Sequence, residues 1–134
     1  MKKWIAGMLL VLFMVPTAFA QATLKDGIYK ANFEKANPTG YMPTLTIRVQ
    51  KGVIISVVYD ETDAKGVAKS KDAKTKKIFD EMAKELSSSQ KAPLVKTQAP
   101  REILDNFNAL AQAVLEQATK AATDTPIIVK GIAK

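Results

Sequence analysis

Thr44-Leu-Thr-Ile-Arg-Val-Gln-Lys-Gly-Val-Ile-Ile-Ser-Val-Val-Tyr-Asp60 holds two apolar runs that meet at Lys51-Gly52. In the first run Leu45, Ile47 and Val49 alternate with Thr46 and Arg48, the period of a half-buried strand. The second run, Val53 to Asp60, is rich in β-branched residues and reads as a strand buried more deeply than its neighbours. Two residues between two strands leave room only for a tight turn, and Gly52 supplies the positive φ that such a turn requires. The stretch therefore predicts an antiparallel hairpin.

The rest of the chain is read outward from that hairpin. On its amino-terminal side Gly27-Ile-Tyr-Lys-Ala-Asn-Phe33 alternates again, with Tyr29, Ala31 and Phe33 on one face, and forms a first strand. Asn37-Pro-Thr-Gly-Tyr-Met-Pro43 is loop chemistry. On the carboxy-terminal side a polar loop of about a dozen residues follows Asp60, long enough to be a binding element. Ile78, Phe79, Met82 and Leu86 then fall at helical spacing, and that helix should stop before Ser87-Ser-Ser89. A second helix, from near Pro100 to about Ala122, carries Ile103, Phe107, Leu110 and Val114 as a wide apolar stripe that needs a sheet to cover it. Thr123-Asp-Thr-Pro126 ends it, and Ile127-Ile-Val129 reads as a short last strand at the sheet edge. The fold class expected is α+β: a small antiparallel sheet with two helices packed on one face.

Composition narrows the chemistry. The chain has 134 residues, no Cys and no His, which excludes Cys-His and Ser-His-Asp nucleophiles, zinc sites with the usual N and S ligands, and disulfides. No calcium-loop pattern occurs, so neither a catalytic group nor a metal site is assigned and the chain does not read as an enzyme. Residues 1–20 read as a secretory signal: Lys2 and Lys3, an apolar run from Trp4 to Met14, Pro16, then Ala18-Phe19-Ala20 before Gln21. The expectation is a single domain over 21–134, exported to the periplasm or the exterior after cleavage near Ala20-Gln21. An uncleaved anchor is the alternative. No Cys follows the signal, so no lipid anchor is expected. Removing Lys2 and Lys3 from the 20 basic residues leaves 18 against 13 acidic ones. Six lysines crowd between Lys65 and Lys77, but no aromatic residues interleave them as base stacking would need, so nucleic acid is not an expected partner.

Several short motifs, in order, resemble the exported FMN-binding domain family, which includes flavin subunits of sodium-pumping and electron-bifurcating reductases. They are Asp26-Gly27-Ile28-Tyr29, Gly40-Tyr41, Lys51-Gly52-Val53-Ile54, Tyr59-Asp60 and Lys69-Ser70-Lys71-Asp72. The resemblance covers most of the domain and implies a flavin carrier, in which FMN supplies the redox chemistry and the protein supplies binding and orientation. In flavinylated members a Ser/Thr-Gly-Ala-Thr stretch before the last helix takes FMN on its final Thr. Here those positions read Gln98-Ala99-Pro100-Arg101, so no covalent FMN is expected.

Noncovalent FMN remains as the implied cofactor, with Tyr59, Lys69, Ser70, Thr97 and Arg101 as candidate binding residues in a cleft between the Glu61 to Asp72 loop and the start of the second helix. A helix amino-terminus offers free amides to a phosphate, and Arg101 could grip it bidentately. Plainer roles stand beside these: Thr97 as an N-cap, Arg101 as the i+4 partner of Asp105, Ser70 as a cap of the first helix, and Tyr59 and Tyr41 as packing. The function expected is an exported flavin-binding module of an electron-transfer system, served by an exported or membrane-bound redox partner. The alternative is a domain that keeps the fold and works as a non-flavin binding or scaffold protein in the cell envelope. The oligomeric state is not legible.

Overall fold

A computed structural model describes residues 23–95 and 97–134, so the signal-peptide reading lies outside the described residues. The elements run β1 (Gly27–Lys35), β2 (Met42–Gln50), β3 (Val53–Thr62), a 3-10 turn (Lys69–Lys71), α1 (Ala73–Ser89), α2 (Arg101–Lys120) and β4 (Ile127–Ile132). The fold is α+β, with the sheet in the order β3-β2-β1-β4. β1, β2 and β3 pair antiparallel, and β4 joins β1 in parallel. A parallel neighbour needs a crossover, and here the chain between β1 and β4 includes both helices. No helix among the described residues is long and apolar enough to cross a membrane.

The turn of the central hairpin has positive φ at both positions, 54° at Lys51 and 75° at Gly52, the twist-matched form that joins two strands most tightly. From it the strands place alternate side chains on opposite faces. Tyr29, Ala31, Leu45, Ile47, Val49 and Tyr59 turn toward Phe79, Met82 and Leu86 of α1 and Phe107, Leu110 and Val114 of α2, and all are buried in one core. The opposite sheet face is open, with Ile28, Lys30, Thr46, Arg48 and Val58 in mutual register.

Two local expectations are corrected. β3 is an edge strand, and Val58 is 58% exposed; the buried interior strands are β1 and β2. α1 runs through Ser87 to Ser89 and stops at Gln90, which adopts the left-handed conformation at φ 60°. The Gln90 N–H donates to the Leu86 carbonyl at 2.8 Å. Its carboxamide donates to the Ser87 carbonyl at 2.6 Å and binds both backbone groups of Ile54, so the helix end is fixed by docking against β3.

Candidate functional site

Strand parity puts a charge inside. Tyr59 and Glu61 lie two residues apart on β3 and so point to the same face, where Glu61 is 1% exposed. Its carboxylate accepts from the Tyr59 hydroxyl at 2.8 Å and from Lys69 Nζ at 2.8 Å. Lys69 reaches it from the 3-10 turn and also lies over the Tyr41 ring, 4.3 Å from its centroid, a cation–π contact. The loop carrying Tyr41 is shaped by Asn37, whose Oδ1 accepts from the Tyr41 N–H at 2.9 Å and the Thr39 N–H at 3.1 Å. Burial, followed by the nearby Glu61 carboxylate, pushes the Tyr59 hydroxyl far above its ordinary range, so the phenol stays a neutral donor.

Beside this network lies an open cleft of about 430 Å³, bounded by the Asn37–Thr39 loop, Glu61, Lys69 and the first turn of α2 at Pro100, Glu102 and Ile103, with Lys134 at its rim. It sits between the Glu61 to Asp72 segment and the start of α2, where the sequence reading looked for one. Its size suits a small ligand. Pro100 is the N-cap of α2 and contributes no side-chain cap. The first helical hydrogen bond runs from the Leu104 N–H to the Pro100 carbonyl at 2.9 Å, so the amides of Arg101, Glu102 and Ile103 lie ahead of it. Two carboxylates and two ammonium groups line the cleft, which gives it no strong net sign.

The five candidate residues are only partly gathered here. Lys69 is in the cleft wall. Tyr59 is a core residue, with its ring edge-on to Phe79 at 4.9 Å and to Phe107 at 5.4 Å, and only its hydroxyl reaches the network. Ser70 faces Asp60: its hydroxyl donates to Asp60 Oδ2, and its N–H to Asp60 Oδ1 at 3.3 Å. Asp72, not Ser70, caps α1 by accepting from the Thr75 N–H at 3.0 Å. Thr97 Oγ1 accepts from the Ala99 N–H at 3.0 Å and lines a separate polar hollow with Glu81, Lys84, Glu85 and Ser88 of α1. Arg101 has a side chain 92% exposed, with Nε 4.0 Å from Asp105. Glu61 and Asn37 were not singled out from the sequence. The signal for Glu61 was available, since a glutamate two residues beyond an inward tyrosine shares its face.

The same short motifs also hold the fold together. Asp26 Oδ1 accepts from the Gly52 N–H at 3.0 Å and ties the start of β1 to the hairpin turn; backbone N–H donors from Gly52 and Lys51 hold its carboxyl below the usual value. Tyr29 donates its hydroxyl to the Lys25 carbonyl at 2.6 Å. Tyr59-Asp60 and Lys69-Ser70 clasp each other through the Asp60–Ser70 and Glu61–Lys69 pairs. Among the described residues there is no group of three or more His, Cys, Asp or Glu side chains placed to hold a metal.

An α+β domain with an end cleft beside a helix amino-terminus is the class that this geometry defines. No family model matches the sequence, and no curated protein matches it. Among solved structures, a crystallised protein of Clostridium perfringens is 25% identical, with a TM-score of 0.71 over 80% of this chain and 98% of that one. A solution structure from Clostridium thermocellum is 18% identical at a TM-score of 0.42, covering 73% of this chain and 89% of that one. The first likeness places nearly the whole of a second protein on this architecture.

Proposed function

We propose that the domain is an exported binding module that takes FMN noncovalently in the end cleft and serves an electron-transfer partner. The observation that carries this reading is the cleft itself, opening onto a helix amino-terminus with no side-chain cap. The donor set fits a phosphate in part. The leading amides of α2 and its dipole favour an anion, and Lys69 supplies a cation on the facing wall. Glu102 opposes them, so binding in the micromolar range is expected. Arg101, standing where the family's acceptor threonine would be, offers neither a tether nor a grip, because its side chain points to solvent. When bound, FMN would supply the redox chemistry; the protein's part is to hold and orient it.

A second reading has its own support. Asp26, Asp60, Lys69 and Ser70 already spend their polar groups on one another and on the backbone, which is what a scaffold that keeps the fold without flavin requires. FMN titration followed by flavin fluorescence separates the two. Saturable quenching at micromolar FMN, weakened in Lys69→Ala and unchanged in Arg101→Ala, is the expected result. An absence of saturable binding at that concentration leaves the scaffold reading. Flavin that stays on the protein through acid precipitation would contradict the noncovalent assignment.

A further inference from the structure

The hairpin turn lies at the end of the molecule remote from the cleft. β3 runs from that turn to Glu61 in the cleft wall, and α1 and α2 both start beside the cleft, after Lys69–Lys71 and Pro100. At the far end a second hollow, of about 460 Å³, opens between the Lys51-Gly52 turn, the residues just past α1 and the last turns of α2. Its floor is apolar. Leu24, Ala92 and Leu115 pack on the core and remain only partly buried, which leaves apolar surface in a concave site of small-ligand size. Its walls are fixed. The Lys25 N–H donates to the Ala118 carbonyl at 2.8 Å and holds Thr23 and Leu24 against α2, while the Gln90 carboxamide is taken up by Ile54 and Ser87.

Charge separates this hollow from the cleft. None of its lining residues is acidic, and two of them, Lys51 and Lys91, are exposed and form no ion pair among the described residues. Acidic side chains next to these elements are engaged elsewhere: Asp26 accepts from the Gly52 N–H at 3.0 Å, and Glu116 pairs with Lys120 at 3.0 Å. Lysines near helix ends commonly serve the last carbonyls, but here those carbonyls have other donors. The Gln90 N–H bonds the Leu86 carbonyl, the Gln90 carboxamide that of Ser87, and the Ala121 N–H that of Gln117. An apolar floor with two unpaired cations beside it remains.

We propose that this hollow is a second ligand site, for an anionic amphiphile: an acyl chain of medium length that ends in a carboxylate. The acyl chain covers Leu24, Ala92 and Leu115, a favourable contribution with no preference for charge. The carboxylate lies at the Lys51 and Lys91 ammonium groups, which select the sign of the head group. Each of these pairs is open to water and individually weak, so affinity needs tail and head together. The site stands apart from the end cleft and does not depend on flavin.

Decanoate, decanol and decyltrimethylammonium, one tail with an anionic, a neutral and a cationic head, test this below their micelle concentrations. Each is titrated into the chain from Gln21, whose described core closes between Leu24 and Ala133, and followed by heteronuclear NMR. Decanoate should bind saturably, with shifts centred on the amides of Thr23, Gly52, Lys91 and Thr119. Decanol should bind about tenfold more weakly, and decyltrimethylammonium not at all. A double variant, Lys51→Gln with Lys91→Gln, should bind decanoate about tenfold more weakly and decanol as before. Both lysines are exposed, so circular dichroism should show the variant folded. An absence of saturable decanoate binding overturns the proposal, as do shifts centred elsewhere. Decanol bound as tightly as decanoate, or a double variant with undiminished decanoate affinity, overturns it equally. Amide shifts at Gly52, Lys91 and Thr119 between the chain from Met1 and the chain from Gln21, without ligand, would assign the hollow to the residues ahead of Thr23 and overturn it too.

Discussion

Glu61 is a carboxylate inside a protein core, tolerated only because both of its oxygens have partners. The Tyr59 hydroxyl occupies one and Lys69 the other. Lys69→Ala removes the cation and leaves the carboxylate with a single neutral donor. For a fully buried pair such a break costs about 3–5 kcal/mol. Lys69 keeps 29% side-chain exposure, so water screens part of that interaction, and a loss of about 2–3 kcal/mol in urea unfolding is expected. Tyr59→Phe keeps the aromatic packing on Phe79 and Phe107 and removes only the hydroxyl, which should cost about 1–3 kcal/mol. Because both changes act on one carboxylate, their effects should fail to add in a double-mutant cycle; simple additivity would show that Glu61 does not couple them. Arg101→Ala provides the contrast. With a side chain 92% exposed and 4.0 Å from Asp105, it should leave the unfolding midpoint within about 0.5 kcal/mol of wild type.

The central hairpin is the element on which the sheet is registered, and its turn depends on a backbone that side chains resist. Gly52 has φ 75°, and a Cβ there would stand 3.2 Å from Thr23 Cγ2. Gly52→Ala should therefore destabilise by about 1–2 kcal/mol through conformation alone. Lys51→Asn, at φ 54°, should raise the thermal midpoint, since Asn tolerates that conformation better. This turn was legible because the information for it is local: one alternating run, one run of β-branched residues, and a glycine two residues after the first. The helical stripes and the last strand were legible for the same reason. The edge position of β3 was not, because a run of Val and Ile reads alike in the centre or at the edge of a sheet, and its neighbours are chosen by the whole chain. Of the two roles read for Arg101, the fold gives the plainer one, a solvent-exposed neighbour of Asp105, and not a place in the cleft. Arg101 precedes Ile103 by two residues, about 200° around the helix, so once Ile103 faces the cleft Arg101 must face water. The apolar stripe held that phase, but the cleft it pointed into could be located only in the assembled fold.

For the molecule as a whole, stability should plateau around neutral pH and fall at both extremes. The chain has no His and no Cys, so no side chain of those types titrates near neutrality. On the acid side Asp26 and Asp72 are held below the ordinary value of 3.8, the first by the Gly52 and Lys51 amides and the second by the Thr75 side chain and amide. A carboxylate depressed in the folded state stabilises fully above its unfolded value. That contribution is lost as the pH falls from about 3.8 through the lower folded value. Asp26→Asn and Asp72→Asn should each flatten the decline of the urea midpoint in this range while leaving the plateau slope unchanged. On the alkaline side the sign reverses. Tyr59 is raised above its ordinary value of 10.0 by burial and by Glu61, so its contribution is present below pH 10 and lost as the pH rises beyond it. The unfolded phenol can then ionise while the folded one cannot. Tyr59→Phe should lower the plateau but make the decline above pH 10 shallower. Urea midpoints from pH 3 to 11 for the wild type and these three variants would check both limbs. An acid limb that keeps its slope in both Asn variants would remove the hairpin tether and the α1 cap as its cause. An alkaline limb unaffected by Tyr59→Phe would mean that the buried phenol does not set the upper limit of the fold.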